Sequence, residues 1–251
     1  MNNLVKADFK KTLYLPSNRY LLLSTICSSI LLGMIFLLTI NVTQGKGITE
    51  LSSMEIIDVT LLGMDVAAIM LIIFTAIFIK KDLSPGAIHT NLAITPVRGK
   101  YFISKISFIS IISILISVVL LLLFLTIDLL VLSINDMDSL SFFNINVFSK
   151  LIGSVVMVLF YSILSAAGVF YLQSTSGGIA FALGVMFLPA LIKMFPAEVS
   201  SILLPIFPEK SLYAIINIHT EGSLVSAIAI LLLWIIISSL VGLWRFKRID
   251  Y

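Results

Sequence analysis

The sequence predicts an all-α membrane protein with six transmembrane helices, and the prediction depends on composition and on the length of the apolar runs. Apolar residues make up 59% of the 251-residue chain and charged residues only 12%, whereas about a quarter of the residues in a soluble domain are charged. So few charges cannot cover a water-facing surface. The composition therefore excludes both a soluble enzyme and a disordered chain.

Six apolar stretches reach or approach the roughly 20 residues that a helix needs to cross a bilayer. They are about twice as long as a barrel strand and apolar on every side, which predicts helices. The stretches are Tyr20–Ile40, Val59–Ile79, Ile106–Ile127, Leu151–Leu172, Gly178–Phe195 and Leu224–Trp244. Pro189 allows a kink in the fifth stretch. We expect one transmembrane domain over 1–251, with an interfacial helix in 1–19, spans in 20–244, a tail in 245–251 and no nucleotide-binding domain.

The cations are divided unevenly between the two ends of the predicted spans. Twelve of the sixteen lysines and arginines lie before the first span, between the second and third spans, or after the sixth. Cytoplasmic loops are enriched in these residues, so both termini are predicted to be cytoplasmic. The basic balance then reflects topology and attraction to the inner leaflet, and no nucleic-acid partner is expected.

The first nineteen residues show the periodicity of an amphipathic helix. The apolar stripe is Val5, Phe9 and Leu13, and the lysines beside it are Lys6, Lys10 and Lys11. The pattern predicts a short helix on the inner leaflet, with its stripe toward the acyl chains and its lysines at the headgroups. A frayed basic tail is the alternative.

A second short helix is predicted in the loop between the second and third spans. Ser84 is a suitable N-cap and Pro85 suits the first helical position, while Pro96 disfavours helix just before it. A helix of about ten residues is too short to be stable alone, so it must dock on something through Ile88 and Leu92. The alternative is a connector that rests on the protein's own spans.

The later connections differ in character. Gln173–Gly177 is a tight turn that predicts a helical hairpin of the fourth and fifth spans. Pro196–Gly222 is too apolar for a solvated loop and too broken to cross the bilayer. Short helices that dip into the outer leaflet are expected there, with their backbone buried by protein.

The sequence contains no catalytic or metal-binding motif. Gly99 and Lys100 lack the upstream glycine and the following serine or threonine of a phosphate loop, so the chain is not expected to hydrolyse ATP or bind a cofactor alone. His89 and His219 lie far apart in the sequence. Cys27 lies in an apolar run, where a small buried hydrophobe is expected.

Asp65 is the carboxylate that lies well inside a predicted span. Because a charge at this depth is costly, we expect it to face protein or water, either contacting cationic cargo or protons or making a structural hydrogen bond. Hydroxyl groups on the third and fourth spans either pack helices together or line a polar path. The candidate path residues are Asp65, Ser110, Ser113, Ser117, Tyr161 and Ser165. Asp128 and Lys193 are nearer the outer boundary and are expected to snorkel.

Three features combine into a family resemblance. A basic amphipathic helix precedes six spans, and the chain ends in Phe246-Lys247-Arg248-Ile249-Asp250. The loop after the second span carries a short helix, then Thr95-Pro96-Val97-Arg98, with Lys105 opening the third span. Together these resemble the membrane subunit of ABC-2 type ABC transporters. The many isoleucines and asparagines make the chain similar to small Gram-positive permeases for amphipathic antimicrobial peptides, such as the staphylococcal exporters of phenol-soluble modulins.

The resemblance implies partners and site residues. The short helix after the second span would be a coupling helix that docks on a separate ATPase, which would bind ATP and magnesium. The implied coupling residues are Asp82, Pro85, Ile88, His89, Leu92 and Arg98. Two identical or related permeases would dimerise in the bacterial cell membrane and move amphipathic peptides across or out of it. An ATP-independent carrier or channel, or a non-transporting immunity protein, is the alternative.

Overall fold

The computed structural model is α-helical, and no strand occurs in the residues it describes, which are 2–40, 42, 45, 47–94, 96–137, 145–217 and 224–249. Six of the described helices are long and apolar enough to cross a membrane, which confirms the predicted number of candidate spans. They are α2 (Pro16–Leu38), α3 (Ser53–Asp82), α5 (Arg98–Ile134), α6 (Ile145–Leu172), α7 (Thr175–Ile192) and α10 (Leu224–Arg248). The shorter helices are α1 (Asn2–Tyr14), α4 (Pro85–Ile94), α8 (Ala197–Leu203) and α9 (Pro208–Ile216).

Helix α3 begins inside the segment that the sequence predicted as a loop before Val59. The Ser52 hydroxyl accepts a hydrogen bond from the Glu55 backbone N–H at 3.3 Å, and the Glu55 carboxylate accepts one from the Ser52 backbone N–H at 2.7 Å. These bonds satisfy donors that have no partner within the first turn of a helix. The capped helix therefore includes Asp58, whose carboxylate pairs with Lys150 of α6.

Helix α6 is the centre of the bundle and packs against α3, α5, α7, α9 and α10. Helix α3 is also largely buried, whereas α2 and α10 expose most of their apolar surface. Cys27 lies on the exposed side of α2. The prediction of a buried cysteine is therefore wrong, because an apolar run in a membrane protein shows burial in lipid as readily as burial in protein.

Glycine allows α2, α3 and α5 to approach closely at one point. An added Cβ on Gly63 of α3 would lie 2.6 Å from the Ser29 carbonyl oxygen of α2. It would also lie 2.4 Å from the Phe124 ring of α5, which is fully buried. The ring and the backbone of α2 therefore occupy the space that any larger residue would need.

Replacing Gly63 by alanine is expected to destabilise the protein by about 1–3 kcal/mol, as overpacking of a well-packed core does. The midpoint of thermal unfolding in detergent measures the effect. Gly184→Ala on α7 is the matched control, because a Cβ there meets no atom within 4 Å. Equal midpoints for the two variants would contradict the assigned contact.

The three basic segments lie together at one end of the bundle, which we call the basic end. Asp8 of α1 pairs there with Lys105 of α5, and Arg98 bonds the carboxyl end of α10. The turn between α6 and α7 is at the same end, with Phe170 packed edge-on against Phe246. The structure therefore groups the segments that the cation count assigned to one side.

The apolar segment after α7 forms short helices at the opposite end. Helix α8 continues into a 3-10 turn at Leu204–Ile206, and this unit meets α9 at an angle of 72°. The Trp234 indole of α10 donates a hydrogen bond to the Ile206 carbonyl at 2.9 Å. The expected short helices are therefore present, and they are attached to the last span.

Candidate functional site

Helix α4 connects α3 and α5 at the basic end, where the proline pattern predicted a helix. The Ser84 carbonyl accepts the first helical hydrogen bond, from the Ile88 N–H at 2.9 Å, which places Ser84 at the N-cap and Pro85 at the first position. The Ser84 hydroxyl donates to the Lys81 carbonyl instead of capping α4. Thr95 and Asp250, which belong to the two sequence motifs, lie outside the described residues.

The apolar side of α4 packs on the protein's own helices. Ile88 is fully buried in the main core, and Leu92 packs against that core. The Asn91 amide donates to the Asp82 carbonyl at 3.3 Å and to the Tyr101 hydroxyl at 3.4 Å. The connections that join α4 to α3 and to α5 are short, so α4 stays against these two helices. Ile88 therefore anchors α4 to its own chain, and the Ile88 side chain is not accessible to a partner protein.

The outer side of α4 carries small or weakly polar groups. Its exposed residues are Pro85, Gly86, His89, Thr90 and Ala93. Lys81 before the helix and Lys100 after it are also exposed. A partner that reaches α4 would meet this face, which we call the α4 outer face.

Four charged side chains meet beneath α1, and we call them the ionic cluster: Asp8, Lys11, Asp82 and Lys105. The Lys105 ammonium lies 2.5 Å from Asp8 Oδ1 and 2.6 Å from Asp82 Oδ2. Lys11 pairs with the other oxygen of Asp82. Asp8 and Lys105 are each 5% exposed and Asp82 is 1% exposed. The two acids balance the two ammonium groups, so the ionised cluster has no net charge.

The ionic cluster gives Asp82 and Lys11 contacts that differ from those that the sequence predicted. Asp82 has almost no surface to offer an ATPase, and Lys11 turns inward, away from lipid headgroups. Burial lowers the pKa of the Lys11 ammonium below its ordinary value, and the Lys105 ammonium acts in the same direction. The Asp8 carboxylate acts on this pKa in the opposite direction.

Helix α1 also differs from its predicted orientation. Val5 and Phe9 pack against the main core, and the Phe9 ring meets the Phe108 ring edge-on at 5.2 Å. The prediction that both face acyl chains is therefore wrong, because Asp8 lies on this side and is drawn to Lys105. Leu13 of the same stripe is 64% exposed. Lys6 and Lys10 are exposed as well.

Arg98 stabilises the end of α10. Its Nη1 donates to the carbonyls of Phe246 at 3.2 Å, Lys247 at 2.9 Å and Ile249 at 2.6 Å. The last carbonyls of a helix have no partner inside the helix, so a guanidinium satisfies them well. The predicted coupling residue Arg98 thus fastens the last span to the start of α5.

Three of the serines among the path candidates donate hydrogen bonds to backbone carbonyls, two of them within their own helix. Ser110 donates to the Ile106 carbonyl, Ser117 to the Ser113 carbonyl, and Ser165 to the Ile72 carbonyl of α3. The Ser113 hydroxyl is buried and has no hydrogen-bond partner among the described residues. The Ser165 bond to α3 agrees with the packing alternative, whereas the bonds of Ser110 and Ser117 stay within α5 and do not distinguish it from a polar path.

Asp65 is different, because its carboxylate is only partly buried and forms no hydrogen bond or ion pair with a described residue. The buried Tyr161 of α6 lies within electrostatic reach of Asp65 and of Glu209 on α9. A structural hydrogen bond for Asp65 is therefore not seen in the described part of the chain. The alternative in which Asp65 contacts cargo or protons stays a prediction.

Two charged residues near the opposite end behave differently from each other. Asp128 is 1% exposed and receives a hydrogen bond from the Thr60 hydroxyl at 3.2 Å. The prediction that it snorkels is wrong, because α5 continues past it to Ile134 and turns this position toward α3. Lys193 is exposed and pairs with Glu209 at 2.8 Å, and this hydrogen bond raises the pKa of the lysine.

Fold and charge distribution define a multi-pass α-helical membrane protein with a basic end that holds α1, α4 and the carboxyl end of α10. Among the described residues, no group of three or more histidines, cysteines and acids could hold a metal ion. No protein-family model matches the chain. No curated protein matches it either.

Proposed function

We propose that this chain is the transmembrane subunit of an ATP-driven ABC exporter in the bacterial cell membrane. It dimerises, docks a separate ATPase at the cytoplasm-facing basic end, and moves amphipathic peptides across or out of the membrane. The observation that supports this most is α4, a short helix anchored between two spans with a small-residue face left open. The resemblance of the sequence to ABC-2 permeases agrees with it.

Helix α4 is suited to transmit force. Ile88 is buried among the spans, and Asn91 bonds both the end of α3 and the start of α5. Because packed interiors do not deform continuously, a push on α4 moves α3 and α5 with it. An ATPase that closes on ATP could therefore act on the spans through this contact.

Burial divides the residues of α4 into those that contact the spans and those that are open to a partner. Ile88 and Leu92 hold the helix to its own chain, while His89, Thr90 and Ala93 remain for the ATPase. The small side chains of this face suit insertion into a groove on the partner. Asp82 and Arg98 then act inside the permease, within the ionic cluster and at the end of α10.

The shorter helices at both ends complete the proposal. Exposed Leu13 and Tyr14 of α1 would rest on the inner leaflet, with Lys6 and Lys10 at the headgroups. Helices α8 and α9 would dip into the outer leaflet. The exposed apolar surfaces of α2 and α10 are available to lipid or to the second permease copy.

Ala93→Arg tests the docking of the ATPase. Arginine is a good helix former and the site is exposed, so the permease itself should fold normally. Its bulk on the α4 outer face should weaken binding of the ATPase by about tenfold or more. The readouts are co-purification of an ABC ATPase subunit with the permease and peptide-stimulated ATP hydrolysis in proteoliposomes.

Ser133→Arg is the control, since Ser133 is exposed in the last turn of α5 at the opposite end. It should leave both readouts unchanged. An Ala93→Arg permease that binds the ATPase and stimulates hydrolysis normally would refute docking at α4. Peptide movement without ATP would favour a carrier or channel instead.

A further inference from the structure

The ionic cluster joins three segments that the sequence keeps far apart. Asp8 and Lys11 come from α1, Asp82 ends α3, and Lys105 lies in the second turn of α5. The Asp82 carbonyl also accepts the amide of Asn91 on α4. One residue therefore connects the cluster that holds α1 to the helix proposed to meet the ATPase.

The surroundings make the charge balance of the cluster important. The Lys105 ammonium lies 5.3 Å from the ring centres of Phe78 and Tyr101, so aromatic groups replace water on these sides. A buried ion pair is tolerated when each charge is compensated, and removal of one partner leaves a charge that water cannot reach. Lys105 contacts both carboxylates, so its loss leaves two acids facing only Lys11.

We propose that the ionic cluster locks α1 onto the ends of α3 and α5, and that Asp8 and Lys105 are positioning residues for α4. While the charges of the ionic cluster remain paired, α1, α4 and the start of α5 move as one rigid body when the ATPase acts. The docking of α1 is a property of this chain alone. Its role in coupling rests on the proposed function.

Apolar packing of α1 is the competing explanation, since Phe9 already meets Phe108. The two explanations differ in how a second substitution acts. If packing alone holds α1, each added change in the cluster weakens docking further. If electroneutrality holds α1, removing one acid together with Lys105 restores docking, because Asp82 and Lys11 still balance each other.

Cysteine labelling of the full-length chain in proteoliposomes tests the lock. Thr12 on α1 is 2% exposed, and Cys27 is the single native cysteine, so a Thr12→Cys, Cys27→Ser chain reports undocking of α1 through a membrane-impermeant maleimide. We expect labelling to become about tenfold faster in Lys105→Gln, because an undocked helix exposes this site. In the double variant Asp8→Asn/Lys105→Gln, the labelling rate should fall most of the way back to that of the Thr12→Cys, Cys27→Ser chain. Lys6→Gln, at an exposed lysine of the same helix, should not change it.

A double variant that labels as fast as Lys105→Gln, or faster, would overturn the lock. A single variant that fails to fold while the double folds would support it. If neither Lys105→Gln nor the double variant folds, the single variant Asp8→Asn tests the proposal. Its asparagine retains an oxygen that can accept a hydrogen bond from Lys105, so the substitution changes only the charge balance. Faster labelling in Asp8→Asn supports the lock, and unchanged labelling overturns it.

The coupling role is tested on the same variants with the ATPase bound. Peptide-stimulated ATP hydrolysis should fall in Lys105→Gln and recover in Asp8→Asn/Lys105→Gln. Recovered labelling without recovered stimulation would overturn the positioning role for α4 while the docking of α1 stands. If no ATPase binds the unaltered chain, the proposed function fails, and the labelling result still decides how α1 is held.

Discussion

Ile88→Asp is expected to prevent folded protein from accumulating. Ile88 is fully buried in the main core, so a new carboxylate there would be removed from water. An unpaired buried charge combined with lost apolar packing costs about 4 kcal/mol or more, which is a large share of the stability of most proteins. The yield of monodisperse protein from membranes and the thermal unfolding midpoint measure this effect.

His89→Asp provides the matched control one residue along α4. His89 is exposed, so the same carboxylate remains in water and the permease should fold normally. A normal yield of Ile88→Asp would show that α4 does not pack on the spans as described. The family resemblance implied that Ile88 contacts an ATPase, and its burial within the chain is why loss of folding is expected instead.

Asp65→Asn is expected to lower export of a cationic amphipathic peptide by about tenfold or more. A hydrogen bond or ion contact to a charged group contributes about 1.5–3 kcal/mol, and 1.4 kcal/mol corresponds to a factor of ten. Asp65 forms no hydrogen bond or ion pair with a described residue, so asparagine breaks no such bond within the chain. Uptake of a fluorescent peptide into inverted vesicles measures export.

Two variants separate charge from shape at this position. Asp65→Glu keeps the carboxylate and should retain most of the export activity. Asp128→Asn changes a carboxylate that is buried against Thr60, and an amide can still accept that hydrogen bond, so near-normal export is expected. Normal export by Asp65→Asn, with assembly and ATP hydrolysis intact, would show that Asp65 serves no cargo.

The spans and the short helices could be predicted because their causes are local. Each apolar run must satisfy its own backbone inside a membrane, so run length alone predicts a helix. Helix α4 was predicted from Ser84 and the prolines that bracket it, since capping and proline effects act within one turn. The grouping of basic segments followed from the count of lysines and arginines.

What each helix face contacts could not be predicted in the same way. The repeat of Val5 and Phe9 showed that one side of α1 is apolar, but an apolar side fits lipid and protein equally well. The same ambiguity misplaced Cys27, which the sequence buried and the structure exposes on α2. In a chain that is apolar nearly everywhere, the composition does not indicate which side chains face the protein interior and which face lipid.

The sequence by itself determined an all-α chain with six candidate spans, a helix after the second span and a strong charge asymmetry. Only the tertiary structure decided which charges meet. Asp8 and Lys105 are 97 positions apart, and Lys11 and Asp82 are 71 apart. Other lysines near the same end, such as Lys6, Lys10 and Lys81, remain exposed, so no local pattern marks these four. Charge pairing inside a membrane protein depends on which helix ends are brought together, because a buried charge is stabilised only by a neighbour that the fold supplies.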